Sequence, residues 1–171
     1  LEAALESYKN ATKIQSGDLK PYNNMGIIFR DKGELESAIK CFEKVIQLNP
    51  RIAEAYNNLG AIHLKLKSYS VAKENFKKAV ELKPDFFSSL YNLGVVLLET
   101  QGLSYSLVYF EKAIKLDPDF TVINLSEVVC IKGKFSNVLE AYNHMGLTFI
   151  DEEKLEAAIK CFERIIQFNP N

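Results

Sequence analysis

The sequence contains no tryptophan, only two histidines and three cysteines, and its formal net charge is −1. Each scarcity closes a class of function. His63 and His144 stand far apart, with no cysteine or carboxylate at ligand spacing around either, so no zinc set can be assembled. Cys41, Cys130 and Cys161 are an odd number without close spacing, which reads as packed, reduced thiols of an intracellular, cytoplasmic protein. A charge so near neutrality lacks the basic stripe that a nucleic-acid backbone demands. The longest apolar stretch, Leu93–Leu98, falls far short of the roughly 18 residues of a membrane span. No signal-peptide pattern opens the chain. The glycines never gather into a phosphate loop, and no Ser/His/Asp or Cys/His constellation can be drawn. Glu and Asp fall at solvent-facing positions or near helix ends, where a solvated or macrodipole role suffices. We therefore expect no catalysis by this chain, no cofactor and no metal.

What is present is ordinary in amount and unusual in order. With 47% hydrophobic and 25% charged residues the chain has the composition of a folded protein. Its order is a repeat of 34 residues: Tyr-Asn-Asn-Met-Gly at Tyr22–Gly26 returns as Tyr-Asn-Asn-Leu-Gly at Tyr56–Gly60 and as Leu-Tyr-Asn-Leu-Gly at Leu90–Gly94. A small residue and an aromatic follow each time, Ala38 and Phe42, Ala72 and Phe76, Ser106 and Phe110, and each copy closes at Pro50, Pro84 or Pro118. A period of this length implies units that bury their apolar faces on one another.

Within a unit, Tyr22, Met25, Gly26 and Phe29 share one helical face, and Leu35, Ala38, Ile39, Phe42, Val45 and Ile46 form a second. Asp31-Lys32-Gly33-Glu34 between them suits a helix C-terminus with a left-handed glycine. Gly26, Gly60, Gly94 and Gly146 fall inside first helices, where glycine costs up to about 1 kcal/mol against alanine. Close approach of the paired helix explains them, with Ala38, Ala72 and Ala158 as the expected small counterparts. His63 is expected in the core, in an aromatic's place.

A helix–turn–helix unit of this length, with aromatic-x-x-Leu-Gly, Ala, a second aromatic and a terminal Pro, resembles the tetratricopeptide repeat (TPR) family. Tyr56, Leu59, Gly60, Ala72, Phe76, Ala79 and Pro84 fill the pattern in one unit; Tyr142, Met145, Gly146, Phe149, Ala158, Phe162 and Pro170 fill it in another. Tyr or Leu stands at the family's Trp place. The resemblance covers nearly the whole chain and implies an all-α fold, a right-handed alpha-alpha superhelix (TPR solenoid). We divide the chain into a second helix of a partial unit at 1–18 and complete units at 19–52, 53–86 and 87–120. An irregular or incomplete stretch follows at 121–138, and a last unit at 139–171.

Residues 121–138 break the register. Ile131-Lys132-Gly133-Lys134-Phe135 looks like an inter-helix turn, yet Tyr142–Gly146 is already a first-helix signature. Either a second helix of about 16 residues is missing, or the unit is truly irregular. A missing helix would expose apolar faces at about 25 cal/mol per Å², so we expect residues of the molecule absent from this sequence; the mass of the intact protein decides. Unit 139–171 also reproduces unit 19–52 closely, which suggests duplication of a block of units within a longer array.

In the resembled family, first helices line a concave groove along which an extended peptide lies. The positions that this implies are Asn23, Asn24, Ile27 and Arg30, then Asn57, Asn58, Leu64 and Lys65, then Asn92 and Leu98, and late in the chain Asn143 and His144. Asn24, Asn58 and Asn92 recur at one unit's spacing, and an amide offers donor and acceptor to a peptide backbone. The same row fits asparagines that merely cap or bridge neighbouring helices. It is also similar to the TPR region of O-linked N-acetylglucosamine transferases and SPINDLY-type proteins. Family members that grip the carboxylate terminus of heat-shock chaperones use Lys and Asn where this chain has Asn23 and Ile27, Asn in the second unit, and Lys and Arg where it has Ser88 and Asn92; only Asn58 agrees, so without the cations no carboxylate clamp is expected. The expected function is a protein-interaction module, a scaffold or adaptor that binds an extended peptide segment in its groove. The alternative is the substrate-recruiting region of a larger glycosyltransferase of the kind just named. Self-association is a further expectation, because Ile165, Ile166 and Phe168 make the last helix apolar with no polar cap behind it.

Overall fold

The computed structural model describes residues 2–14, 17–116, 143, 146, 147, 149–151, 153 and 155–168. The regular elements among them are α-helices: α1 (Glu2–Ile14), α2 (Leu19–Asp31), α3 (Leu35–Leu48), α4 (Ala53–Lys65), α5 (Tyr69–Leu82), α6 (Phe87–Thr100), α7 (Leu103–Leu116) and α8 (Leu155–Phe168). Residues 143, 146, 147 and 149–151 are also helical. The expected break at 121–138, with Cys130, lies outside the described residues, as does His144. The chain forms two compact units, Leu1–Val96 and Leu97–Asn171.

Local chemistry starts and stops the helices. The Asp18 carboxylate caps α2 by accepting from the Lys20 backbone N–H at 3.0 Å. At the other end of α2, Gly33 sits at φ 80° while the Glu34 N–H reaches Phe29 O at 2.8 Å and the Gly33 N–H reaches Arg30 O at 3.0 Å. That pair of bonds satisfies two carbonyls at the helix end and reverses the chain. The α4 terminus repeats it, with Ser68 N–H to His63 O at 2.8 Å and Lys67 N–H to Leu64 O at 2.9 Å, but here Lys67 holds the left-handed position at φ 58°. Pro50 and Pro84 end α3 and α5 by forcing the preceding residue out of the helical region; Asn49 lies at φ −146°, ψ 104° and Lys83 at φ −142°, ψ 91°.

In the first unit α2 packs on α3, α4 on α5, α3 on α4, and α1 on α2. Each second helix buries one stripe: Ala38, Phe42 and Val45 on α3, and Ala72, Phe76 and Ala79 on α5. Spacings of 4 and 3 put each trio on a single helix face. Leu59 and Ile62 of α4 join Ala38 and Phe42 in one cluster. In the second unit Ser106, Phe110 and Ala113 of α7 are buried in the same way, as are Ala158 and Cys161 of α8.

The helical glycines do meet a neighbour closely, but it is the aromatic and not the alanine. A Cβ on Gly26 would lie 2.8 Å from the Phe42 ring, and one on Gly60 2.6 Å from the Phe76 ring. In the second unit a Cβ on Gly146 would lie 2.6 Å from the Phe162 ring. The ring fills the space that the missing side chain leaves, which ties the two halves of the motif into one contact. His63 is half-buried rather than in the core, as is Phe29 one period earlier.

Candidate functional site

The first helices leave their asparagines at the surface, half-buried, because their apolar stripe faces the second helices. Asn23 and Asn24 of α2 line a cleft of about 350 Å³ together with Leu19, Lys20, Val45, Ile52 and Glu54. Its apolar part comes from Leu19, Val45 and Ile52, and two opposite charges, Lys20 and Glu54, stand with the amides. A second cleft of about 280 Å³ lies among Arg30, Asp31, Leu35, Ala61, Ile62 and Lys65.

Two of the asparagines are engaged within the protein. Arg30 Nη1 donates to Asn58 Oδ1 at 3.0 Å, a bond from one repeat to the next, and the same guanidinium pairs with the Asp31 carboxylate at 2.9 Å. Asn58 is thereby oriented through its carbonyl, while its NH2 makes no hydrogen bond among the described residues. Ser89 Oγ donates to Asn57 Oδ1 at 2.9 Å, again across repeats. One period earlier the matching pair is Asn23 and Ala55, and alanine has no hydroxyl. Asn23 Oδ1 is accordingly buried without a hydrogen-bond partner among the described residues.

The remaining candidates scatter. Ile27 packs against the core cluster of Ala38, Phe42, Leu59 and Ile62. Leu64 and Asn92 are half-buried, Lys65 and Asn143 are exposed, and Leu98 is buried at 2% exposure. The structure thus brings Asn23 and Asn24 together at one cleft, and Arg30 and Lys65 together at the other. Lys20, Val45, Ile52 and Glu54 were missed because they reach the first cleft from three different elements. Ser89 left one readable trace, a hydroxyl at a place where the preceding period has alanine.

Among the described residues no group of three or more His, Cys, Asp and Glu could hold a metal ion. No described helix is long and apolar enough to cross a membrane. Cys41 and Cys161 are free thiols. Burial raises both, and Cys161 is pushed up to about 12.

Models of the repeat family match the chain in succession. One described as TPR repeat covers residues 26–67, and those described as tetratricopeptide repeat cover 53–86, 87–120 and 139–171. The chain belongs to the tetratricopeptide repeat family. Solved TPR structures agree on the all-α solenoid fold. MamA 41-end from Desulfovibrio magneticus RS-1 is 24% identical with a TM-score of 0.67, over 97% of this chain and 84% of its own. YrrB, described as a TPR protein with an unusual peptide-binding site, is 22% identical with a TM-score of 0.68, over 98% and 94%. The first TPR of Spaghetti (RPAP3), bound to the HSP90 peptide SRMEEVD, is 19% identical with a TM-score of 0.61, over 67% and 95%. No curated protein gives a significant sequence match to this TPR chain.

Proposed function

We propose that this TPR chain is a protein-interaction module that binds an extended segment of a partner protein along its first-helix surface. The observation that carries the reading is the cleft at Asn23 and Asn24. Its apolar part, Leu19, Val45 and Ile52, suits an apolar side chain, and its amides suit the backbone on either side. Asn24, Asn58 and Asn92 then continue the line of amides from one repeat to the next. The peptide-binding site named for YrrB and the peptide bound to the RPAP3 repeat support the reading, since both proteins share the fold. The acidic heat-shock peptide is not carried over, because Asn23, Ile27, Ser88 and Asn92 bring no cation to a carboxylate.

The test is affinity capture with the intact chain, mapping of the bound segment, and titration of that segment as a peptide. Alanine at Asn24, Asn58 or Asn92 removes one or two amide bonds of about 0.5–1.5 kcal/mol each, so affinity drops severalfold per substitution. Unchanged affinity in a folded Asn24→Ala, Asn58→Ala, Asn92→Ala triple variant sinks the groove reading. We place the module inside the cell, in the cytoplasm, on the strength of its free thiols, Cys161 buried and Cys41 half-buried. The proposal includes no catalysis and no nucleic-acid partner. The glycosyltransferase-recruiting reading rests on the asparagine row alone and adds nothing that the cleft requires. Self-association rests on α8, where Ile166 is 64% exposed.

A further inference from the structure

Arg30 and Lys65 meet at the second cleft, about 280 Å³ in volume, with Leu35, Ala61 and Ile62 as its apolar part. The repeat demands neither cation. One period after Arg30 stands Leu64, and one period before and after Lys65 stand Asp31 and Glu99. The pair is therefore peculiar to the junction of α2 and α4.

The polar groups left over at this junction are donors. An arginine has five N–H groups. Arg30 commits three of them, Nε and Nη2 to Asp31 Oδ1 at 3.0 and 2.9 Å and Nη1 to Asn58 Oδ1 at 3.0 Å, which leaves two. The bond to Asn58 also occupies its carbonyl, so that amide presents its NH2. Lys65 is exposed and makes no ion pair or hydrogen bond among the described residues. Asp31 is the one acid that lines the cleft, so two cations and one carboxylate leave a net charge of +1. Helix-end carbonyls repel an anion. Here Phe29 O and Arg30 O are taken by the N–H groups of Glu34 and Gly33, and His63 O and Leu64 O by those of Ser68 and Lys67.

A ligand for such a place accepts hydrogen bonds and carries one negative charge. A carboxylate does both, whereas a phosphate dianion sets its second charge against Asp31. We infer, resting on the peptide-binding reading above, that the second cleft receives the carboxylate of an Asp or Glu side chain within the bound segment. Arg30 and Lys65 hold its oxygens, and the Asn58 NH2 holds a neighbouring backbone carbonyl. The place is distinct from Asn23, Ile27, Ser88 and Asn92, where a chain-terminal carboxylate would need cations, and it shares no residue with the first cleft.

The probe is a displayed library of random peptides of about twelve residues, roughly 40 Å when extended, selected on the intact chain. Recovered sequences are synthesised with both ends blocked, so that no terminal carboxylate competes, and titrated by fluorescence anisotropy. They should share Asp or Glu at one aligned position, and Gln there should weaken binding about fivefold or more. Lys65→Gln should weaken the acidic peptide equally and leave the Gln peptide unchanged. Lys65 is exposed and glutamine suits a helix as well as lysine, so the variant folds, which circular dichroism checks. Phosphoserine at the acidic position should bind less tightly than Glu. Recovered peptides without a shared acid, a Lys65→Gln loss that is the same for both peptides, or tighter binding of phosphoserine each overturns the inference. If those peptides still lose affinity in the Asn24→Ala, Asn58→Ala, Asn92→Ala triple variant, the groove reading stands and the carboxylate alone falls. Recovery of no peptide at all removes both.

Discussion

Replacing Ala55 by serine should stabilise the protein, against the usual direction of a substitution in the core. Ser89 shows what the hydroxyl does one period later: it is 0% exposed and donates to Asn57 at 2.9 Å. Ala55 occupies the matching place one period earlier, also at 0% exposure, as Asn23 matches Asn57, and the Asn23 Oδ1 is buried without a partner among the described residues. A buried acceptor left without a donor costs about 1–3 kcal/mol, and a hydrogen bond made contributes about 0.5–1.5 kcal/mol net. Serine in place of alanine inside a helix costs roughly 0.5 kcal/mol, and the extra oxygen must be accommodated. The balance is a gain of about 1 kcal/mol, or roughly 2–4 °C in Tm for a chain of this size. Urea unfolding followed by circular dichroism reads it as a higher midpoint at unchanged slope. The converse Ser89→Ala orphans Asn57 and should cost about 1–2 kcal/mol. In an Asn23→Ala background the benefit of Ala55→Ser should vanish, since the acceptor is gone. A destabilising Ala55→Ser, or a gain that survives Asn23→Ala, refutes the argument that these two positions form a pair.

Gly60→Ala should destabilise by about 1–2 kcal/mol, because a Cβ 2.6 Å from the Phe76 ring overpacks the core by more than the helix propensity of alanine recovers. Phe76→Leu should cost less in that background than alone, which a double-mutant cycle in urea measures. Lys67→Gly relieves a left-handed lysine at φ 58° and should raise stability by about 0.5–1 kcal/mol, seen as a higher Tm, whereas Gly33→Ala at φ 80° should lower it. The Cys161 thiol is held above its ordinary value of 9.0, at about 12, by burial. The folded state therefore keeps a proton that the unfolded chain loses, so the thiol's contribution is full below pH 9 and falls away between about 9 and 12. Unfolding midpoints of the wild type and Cys161→Ala across that range should converge as pH rises, and alkylation of Cys161 at neutral pH should require unfolding.

The alternation of helix and turn in the first two full repeats is written in local chemistry, which is why it could be read without coordinates. Asp18 caps a helix by its own carboxylate, Gly33 supplies a left-handed conformation, and Pro50 and Pro84 exclude the residue before them from the helix. The 34-residue period adds the packing rule, since each amphipathic pair must cover its neighbour. Partners through space carry no such mark. The need for glycine at Gly26 and Gly60 was legible, but the ring that imposes it lies 16 residues further on, and only packing chose Phe42 and Phe76 over Ala38 and Ala72. The asparagine row was legible as a row; whether each amide faces outward or bridges repeats depends on Arg30 and Ser89, about one repeat away. The missing donor opposite Asn23 is likewise a fact of position and not of residue type. Helix α8 states the division most sharply. Its sequence is almost that of α3, so composition and periodicity assign both the same apolar face, yet one face is covered and the other is 55–64% exposed. A side chain's hydrophobicity is a property of the residue. Whether that surface is removed from water depends on what folds against it, and tertiary structure alone decides that.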